Sequence, residues 1–445
     1  MKKLFGTDGI RATAGEYPLD YNSVCTLGYA LIELLKAEKL PSRVIIGRDT
    51  RESGQWIEQA IFQGIEDARG KALSAGLIPT SAVSFLTKQQ GFSAGIVISA
   101  SHNPYQDNGI KIFSAEGIKI ANGWEAILEQ AIIEGGREVR REEIAISSDN
   151  ALSHDYVRFL KSRFEGVRLS RKIKIVLDCS NGASSHIAPM IFSDLGFDVI
   201  ALNASPDGMN INRECGSLYP QKLAEKVVET GADIGVAYDG DADRALWVDE
   251  SGQVLNGDHT LFVLSQFMKE KNRLKTDTVV ATTMSNMGLE IALGKLGIQL
   301  VRTQVGDKYV LEELMRINGN LGGEQSGHTI FLDDCPTGDG ILTSLKMLEV
   351  MITKDTTLSR MVAGFEEYPQ ILKNVPVSKK PDMQAYPEII KAIKEVEALL
   401  ADSGRLNVRY SGTEPLARIM IEGPDMQQIE KYGAELASII TKHLK

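Results

Sequence analysis

The stretch Gly95-Ile96-Val97-Ile98-Ser99-Ala100-Ser101-His102-Asn103-Pro104 decides how the rest of the 445 residues are read. Its first four residues form a short apolar run of the kind that marks a buried strand. The last six are small and polar and close on Asn-Pro, which marks a loop at that strand's carboxyl end. The same unit recurs along the chain. Val44-Ile45-Ile46-Gly47 leads into Arg48-Asp49-Thr50-Arg51, and Ile173 to Leu177 leads into Asp178 to Gly182. Ile234-Gly235-Val236-Ala237 leads into Asp239 to Arg244, and a strand over 299–305 leads into Gly306-Asp307-Lys308. Val279-Val280-Ala281 is one more buried run, while Trp56 to Ala68, Pro189 to Leu195 and Leu223 to Thr230 carry apolar residues at helical spacing. Such alternation predicts an α/β fold with largely parallel central sheets. Ligands of open α/β sheets bind outside the carboxyl ends of strands. The recurrence therefore points to duplicated units facing a shared cleft, although no repeat exists at the level of letters.

Composition narrows the function. Lys plus Arg number 49 against 59 Asp plus Glu, a net charge of −10, which disfavours a general nucleic-acid binder. An acidic chain binds phosphate only where its basic groups gather. Glycine, 41 of 445, is in excess, as expected of tight loops approached closely by something else. The four cysteines (25, 179, 215, 335) lie far apart with no Cys-x-x-Cys pair, so neither structural zinc nor a disulfide scaffold is expected. The start, Met1-Lys2-Lys3-Leu4-Phe5-Gly6, is not that of a signal peptide. No apolar run approaches the roughly 18 residues a membrane span needs. A soluble, reduced, cytoplasmic protein without nucleic-acid or membrane partners is expected.

Breaks in pattern divide the chain. Arg137 to Asn150 is charged and serine-rich and suits a linker, Asp249-Glu250-Ser251-Gly252 reads as a turn, and prolines and lysines mark Tyr368 to Pro381. The resulting segments are 1–150, 151–252, 253–368 and 369–445. The last reads as helix (Pro387 to Leu400), strand (Leu406 to Tyr410), loop, strand (Ala417 to Ile421) and helix (Met426 to Leu444), a small α+β unit.

Four loops carry chemistry. In Ser99 to Pro104, Ser101 is offered to a ligand from a rigid base and His102 can move a proton. The same hexapeptide alone also reads as a turn whose hydroxyls bond backbone amides. Asp239-Gly240-Asp241-Ala242-Asp243-Arg244 sets three carboxylates over five residues, a density that suits a hard divalent cation. An EF-hand loop would need Gly at its sixth position and Glu at its twelfth. Arg244 stands at the sixth and strands flank the loop, so Mg²⁺ is favoured over Ca²⁺, and Arg244 can grip a phosphate oxygen beside it. In Gly322-Gly323-Glu324-Gln325-Ser326-Gly327-His328, the residues Glu324, Ser326 and His328 alternate. An extended backbone would turn them to one side, toward sugar hydroxyls or an amine; a glycine-rich hairpin is the other reading. Arg409-Tyr410-Ser411-Gly412-Thr413-Glu414-Pro415-Leu416-Ala417-Arg418 brackets hydroxyls and amides with two guanidinium forks, suited to phosphate. It is not a P-loop, and alone it also reads as a hairpin with solvated arginines. Phe5 to Arg11 adds an arginine loop. Asn108 to Ile112 places Lys111 in strand-like alternation, where a solvated lysine is the plainer reading. Together, a cation loop, a presented serine and phosphate clamps imply phosphoryl transfer.

These loops resemble the α-D-phosphohexomutase superfamily: FGTDGIR (5–11), ISASHNP (98–104), DGDADR (239–244), GEQSGH (323–328) and SGTEP (411–415) stand in family order across essentially the whole chain. GEQSGH resembles the bacterial members that act on glucosamine phosphates. The resemblance implies three similar mixed α/β domains and a smaller C-terminal α+β domain around a central cleft. These carry, in order, the phosphoserine, metal, sugar-binding and phosphate-binding loops. It implies interconversion of glucosamine 6-phosphate and glucosamine 1-phosphate through a phosphoserine and a bisphosphorylated sugar, toward UDP-N-acetylglucosamine and cell-wall precursors. Ser101 would carry the phosphoryl group, and Asp239, Asp241 and Asp243 would hold Mg²⁺ with it. Arg11 and Arg244 would steady the moving group, with His102 and Lys111 as acid/base candidates. Glu324, Ser326 and His328 would bind the sugar. Arg409, Ser411, Gly412, Thr413 and Arg418 would hold the phosphate that is not reacting, and Lys308 is a further ligand candidate. The only partner implied is the phosphosugar, for a monomer or homodimer. The alternative is a phosphomannomutase/phosphoglucomutase with the same mechanism. A metal-dependent phosphatase and a phosphosugar-binding regulator are the rivals from other classes.

Overall fold

The computed structural model describes residues 3–135, 139, 141, 143–149, 151–411 and 415–444. The apolar runs become strands because their β-branched residues fill pleated, two-sided interiors. The first sheet holds β1 (Phe5–Gly6), β2 (Gly9–Thr13), β3 (Arg43–Arg48), β4 (Lys71–Leu77), β5 (Ala94–Ile98) and β6 (Asp107–Ser114), in the order β1-β2-β6-β5-β3-β4. The second holds β7 (Lys174–Asp178), β8 (Asp198–Leu202), β9 (Ile234–Tyr238), β10 (Ala245–Val248) and β11 (Val254–Leu255), in the order β11-β10-β9-β7-β8. The third holds β12 (Thr278–Thr282), β13 (Gln299–Thr303), β14 (Leu321–Gly323) and β15 (Thr329–Phe331), in the order β13-β12-β14-β15.

One four-strand unit is built three times. In each sheet the unit's first strand (β3, β7, β12) lies parallel to its second (β4, β8, β13) and its third (β5, β9, β14). Its fourth (β6, β10, β15) runs antiparallel to the third. The repeat absent from the letters is thus present in the strand order and polarity, and the fold is α/β as read. In all three copies the loop joining the third and fourth strands is a chemistry-bearing loop: Ser99 to Gln106, Asp239 to Arg244, and Glu324 to His328.

The described residues group into two compact units, Met1–Met284 with Ile298–Ala363, and Ser285–Gly297 with Gly364–Lys445. The first unit contains the three sheets. One apolar cluster packs the helices Tyr21–Ala37 and Ser53–Asp67 on the first sheet, with Leu31, Ile46, Ile61 and Ile96 fully buried. The second unit holds an antiparallel sheet of β16 (Gln370–Pro376), β17 (Arg405–Tyr410) and β18 (Leu416–Glu422), in the order β16-β18-β17. The helix Pro387–Leu400 turns Ile389, Ala392, Val396 and Leu400 onto Ile419 and Ile421, the i, i+3, i+7 spacing of one buried face. In the same unit the helix Met287–Lys295 is capped by Asn286, whose Oδ1 accepts from Gly288 N at 2.8 Å.

Several local readings shift. The strand expected over 299–305 ends at Thr303, and Asp307 opens the helix Asp307–Ile317. The helix expected from Pro189 starts at Ser184, so Pro189 lies inside it. Proline marks a helix start only by its missing N–H, and Ser184 and Ser185 open this one. The boundary at Tyr368 to Pro381 contains β16, whose partner β18 lies some 40 residues on and is invisible to a local reading. In the linker, Arg137, Glu138, Arg140, Glu142 and Asn150 lie outside the described residues. The part described is bound: Ser74 N–H donates to Ser147 O at 2.8 Å, and Ser148 pairs with Ser74 on edge strand β4. The four cysteines are buried and none is part of a disulfide. Among the described residues no helix is long and apolar enough to cross a membrane.

Candidate active site

Strand β5 is buried along its whole length and delivers the loop that follows it as a fixed object. Ser101 leaves the strand with φ +52, in the left-handed region that an L side chain occupies only when its surroundings force it, and it is 1% exposed. Its Oγ donates to Asp239 Oδ2 at 2.5 Å and lies 3.2 Å from His102 Nδ1. Asp239 is the first residue past β9 in the second copy of the unit. A Cβ at Gly240 would stand 2.5 Å from Ser101 O, so only glycine lets the two loops come this close. Ala242, at φ +57, then turns the chain so that Asp241 and Asp243 follow Asp239 into one buried cluster.

The three carboxylates can each offer an oxygen, and these oxygens lie within 4.8 Å of one another. Burial and the neighbouring Asp243 and Asp241 push Asp239 well above the ordinary carboxylate range. Basic groups offset part of the charge. Lys111 Nζ lies 2.9 Å from Asp241 Oδ2, 3.0 Å from Asp8 Oδ2 and 3.3 Å from Asp243 Oδ2. Burial opposes the charge on Lys111, but Asp241, Asp8 and Asp243 outweigh it and hold the ammonium well above its usual range. Thr80 Oγ1 donates to Asp241 Oδ2 at 2.6 Å. Asp241 Oδ1 and Asp243 Oδ1 remain buried and accept no hydrogen bond. Two orphaned carboxylate oxygens in an all-oxygen cluster beside a serine hydroxyl fit Mg²⁺, which prefers hard oxygen donors.

Beside the cluster lies a cavity of about 690 Å³. Its wall combines Asp8 and Arg11 from the loop around β1 and β2, Asp243 and Arg244, Asp307, and Glu324, Ser326 and His328. Arg11 pairs with Asp8, and the Nε atoms of Arg11 and Arg244 are buried without a hydrogen-bond partner. Burial first, then Arg244 and Arg11, drives His102 down to about 4, leaving it a neutral ring at neutral pH. The backbone from Glu324 to His328 is not extended but turns as a hairpin between β14 and β15. Glu324 N–H donates to His328 O at 2.8 Å, and Gly327 takes φ +97. The turn nonetheless sets all three side chains in the cavity wall. Burial raises the Glu324 carboxyl, and Ser326 Oγ is buried without a partner. Burial opposes a charged His328, but Asp243, Asp307 and Glu324 outweigh it and raise the ring toward about 9. Gly338 N–H, however, donates to its Nε2 at 3.0 Å, which requires a lone pair there and leaves a neutral ring with its proton on Nδ1, 3.7 Å from Asp243 Oδ1. Lys308 does not line this cavity: Asp307 before it faces inward, and Lys308 Nζ donates to Asn122 Oδ1 at 2.6 Å.

The second unit carries the remaining candidates. Arg409 and Arg418 stand directly opposite each other on β17 and β18. Burial and the like charge of Arg418 lower the Arg409 guanidinium, the signature of a place that would welcome an anion. Ser411 closes the strand, its N–H donating to Leu416 O at 2.8 Å and its carbonyl accepting from Lys380 Nζ at 2.6 Å. Gly412 and Thr413 lie outside the described residues.

Sequence reasoning missed Asp8, Thr80, Lys119 and Asp307 as parts of the site. Lys119 Nζ bridges Asp8 Oδ1 at 2.6 Å and Asp307 Oδ2 at 2.7 Å. The signal for Asp8 and Asp307 was present, since both sit in loops already singled out. Lys119 and Thr80 had none, because their partners lie 111 or more residues away.

Comparison with known proteins identifies the family of the whole chain. Four family descriptions match: phosphoglucomutase/phosphomannomutase alpha/beta/alpha domain I over residues 2–138, domain II over 154–252, domain III over 256–368, and the C-terminal domain over 372–439. The phosphoglucosamine mutase of Koribacter versatilis is 46% identical, covering 99% of this chain and 97% of its own. That of Solibacter usitatus is 44% identical, covering 100% and 99%. Among solved structures, a phosphoglucomutase/phosphomannomutase family protein from Burkholderia thailandensis superimposes with TM-score 0.82 at 22% identity, covering 99% of this chain and 98% of that one. The N-acetylphosphoglucosamine mutase of Aspergillus fumigatus, solved with GlcNAc-6P and magnesium, gives 0.67 at 18%, covering 99% and 96%. These last two speak to the fold alone. With four consecutive domain matches and full-length relatives above 40% identity, the chain belongs to the phosphoglucomutase/phosphomannomutase family of the phosphohexomutases.

Proposed function

We propose that the chain interconverts glucosamine 6-phosphate and glucosamine 1-phosphate, with Ser101 carrying the phosphoryl group, and that its product feeds UDP-N-acetylglucosamine and cell-wall precursors. The observation that supports this most is the 2.5 Å contact of Ser101 Oγ with the first of three clustered aspartates, beside a cavity of sugar-phosphate size. Asp239, Asp241 and Asp243, with Ser101, would hold Mg²⁺, which when bound offsets charge on phosphoryl oxygens.

The chain's own groups account for the rest. The bond from Ser101 Oγ to phosphorus breaks as a bond to the free sugar hydroxyl forms, and the hydroxyl proton leaves to a base. The resulting bisphosphosugar turns within the cavity and returns its other phosphate to Ser101. His102, a neutral ring 3.2 Å from Ser101 Oγ, has a lone pair to offer. Lys111, held charged by three carboxylates, supplies fixed positive charge and a proton donor. Arg11 and Arg244 turn guanidinium donors toward the moving oxygens, where preorganised charge contributes most to catalysis. Glu324, Ser326 and His328 read the sugar. Arg409, Ser411 and Arg418, with Gly412 and Thr413, hold the phosphate that is not reacting. We read four domains, 1–150, 151–252, 253–368 and 369–445, in a cytoplasmic monomer or homodimer.

A coupled assay on glucosamine, mannose and glucose 6-phosphates tests the reading. The expected kcat/KM for the amino sugar exceeds the others by roughly 10²-fold or more, the scale of discrimination a polar pocket provides. Preference for mannose or glucose phosphate would install the phosphomannomutase/phosphoglucomutase alternative, and stoichiometric release of free phosphate would indicate a phosphatase.

A further inference from the structure

Arg51 follows β3 and is 0% exposed, as is Asp49 two residues before it. A guanidinium has five N–H donors, and each one of Arg51 ends on an acceptor. Nε donates to Asp49 Oδ2 at 2.9 Å. Nη2 donates to Ser101 O at 3.0 Å and Asn103 O at 2.8 Å. Nη1 donates to Asp107 O at 2.9 Å and to Pro104 O. Four of the five donors therefore terminate on main-chain carbonyls of one segment, residues 101–107.

The amide side of Ser101 leads back to the same pair. Ser101 N–H donates to Ser99 Oγ at 2.9 Å, and Ser99 Oγ donates to Asp49 Oδ2 at 2.6 Å. Asn212, from the second copy of the four-strand unit, adds Nδ2 contacts to Ser101 O at 2.8 Å and Asn103 O at 3.0 Å. Both main-chain polar groups of Ser101 are thus fixed, and the residue so fixed has the unfavourable φ of +52. Left-handed serine persists only where its neighbours over-determine it. A buried ion pair is a poor device for stability alone. What this one determines is the direction in which a single side chain leaves the backbone.

We propose that Arg51, together with Asp49, Ser99 and Asn212, is a positioning group that aims Ser101 Oγ for phosphoryl transfer. The proposal rests on the reading of Ser101 as phosphoryl carrier. Arg51 touches no reacting atom and acts through the main chain of residue 101. Without it, Ser101 relaxes toward ordinary φ and its Oγ leaves Asp239. The sugar-binding wall, built from Arg244, Glu324 and His328, is untouched.

The test uses the whole chain as wild type and as Asn212→Ala, Ser99→Ala and Arg51→Lys. Phosphorylation of Ser101 by glucosamine 1,6-bisphosphate, and its discharge by glucosamine 6-phosphate, are followed by time-resolved intact mass beside steady-state kcat, KM and a melting curve. Asn212→Ala and Ser99→Ala are expected to melt near the wild type and keep KM within about twofold. Their phosphoryl transfer should slow roughly ten- to a hundredfold, the cost of a small misplacement of a reacting group. Arg51→Lys, which keeps the charge but not the five-donor fork, should be slower still. If Arg51→Lys fails to fold, the other two variants decide. Folded variants with wild-type transfer rates, or with losses confined to KM, would overturn the proposal. A wild type that never takes up phosphate at Ser101 would instead overturn the functional reading on which the proposal stands.

Discussion

The loop between β5 and β6 and the loop between β9 and β10 occupy the same place in two copies of one four-strand unit, yet their chemistry is opposite. The first offers a hydroxyl from a strained backbone and carries almost no charge of its own; the second brings three carboxylates into one buried volume. They meet at the 2.5 Å contact between Ser101 and Asp239, where glycine at 240 removes the last steric obstacle. The third copy's loop, between β14 and β15, contributes polar side chains to the cavity wall. The architecture supplies a slot, and the side chains decide what the slot can do. The same strand-end arrangement recurs three times, and under the proposed function its loops serve as group carrier, cation holder and sugar reader.

Removing the defining group from each slot should separate these roles. Ser101→Ala takes the hydroxyl out of the first loop, and turnover is expected to fall by roughly 10⁴-fold or more, the scale seen when a covalent carrier is lost, with the melting temperature close to wild type. Near-normal turnover would mean that the first loop is not the carrier. Asp241→Asn weakens the second loop, and a loss of about 10²–10³-fold is expected, comparable to removing one preorganised electrostatic contact; excess chelator should abolish the wild-type rate. Activity indifferent to chelator would remove the cation from the account. Gly240→Ala attacks the meeting point itself. A Cβ at 2.5 Å from Ser101 O must push the loops apart, costing about 1–3 kcal/mol by overpacking. A calorimetric melt beside the assay should record both a lower Tm and a lower kcat. The smallest effect is expected in the second unit. Arg418→Ala should raise KM about tenfold, the worth of one charge-assisted hydrogen bond, and leave Tm level or higher, because like charges directly opposite on a strand pair are destabilising. An unchanged KM would detach that hairpin from substrate binding.

The strands that carry these loops were legible because each is a short apolar run ending at polar residues. The loop Asp239 to Arg244 was legible because three carboxylates so close require a cation or a cluster of bases. What the chain did not disclose is set by partners distant in sequence. Lys119 reads as any surface lysine until Asp8 and Asp307 are seen on either side of it. Arg51 reads as one charge in a polar loop until its donors are found on the Ser101 segment. The alternation of Glu324, Ser326 and His328 left an extended backbone and a glycine-rich hairpin both open; with Gly327 at φ +97 the loop is the hairpin, and the residues converge by turning rather than by alternating. Lys308 is the second residue of the helix that Asp307 opens; Asp307 lines the cavity, and the Lys308 side chain reaches Asn122 instead. The threefold repeat was visible only as a rhythm of strands and polar loops, since pairing order is a tertiary property that no local pattern encodes.

The most direct test of the central claim is the intact mass of the purified chain after incubation with glucosamine 1,6-bisphosphate and Mg²⁺, followed by peptide mapping and then a chase with glucosamine 6-phosphate. The expected result is a gain of one phosphate located on Ser101, lost again in the chase as glucosamine bisphosphate forms. A chain that gains no phosphate, or gains it at another residue while still turning over substrate, would contradict it.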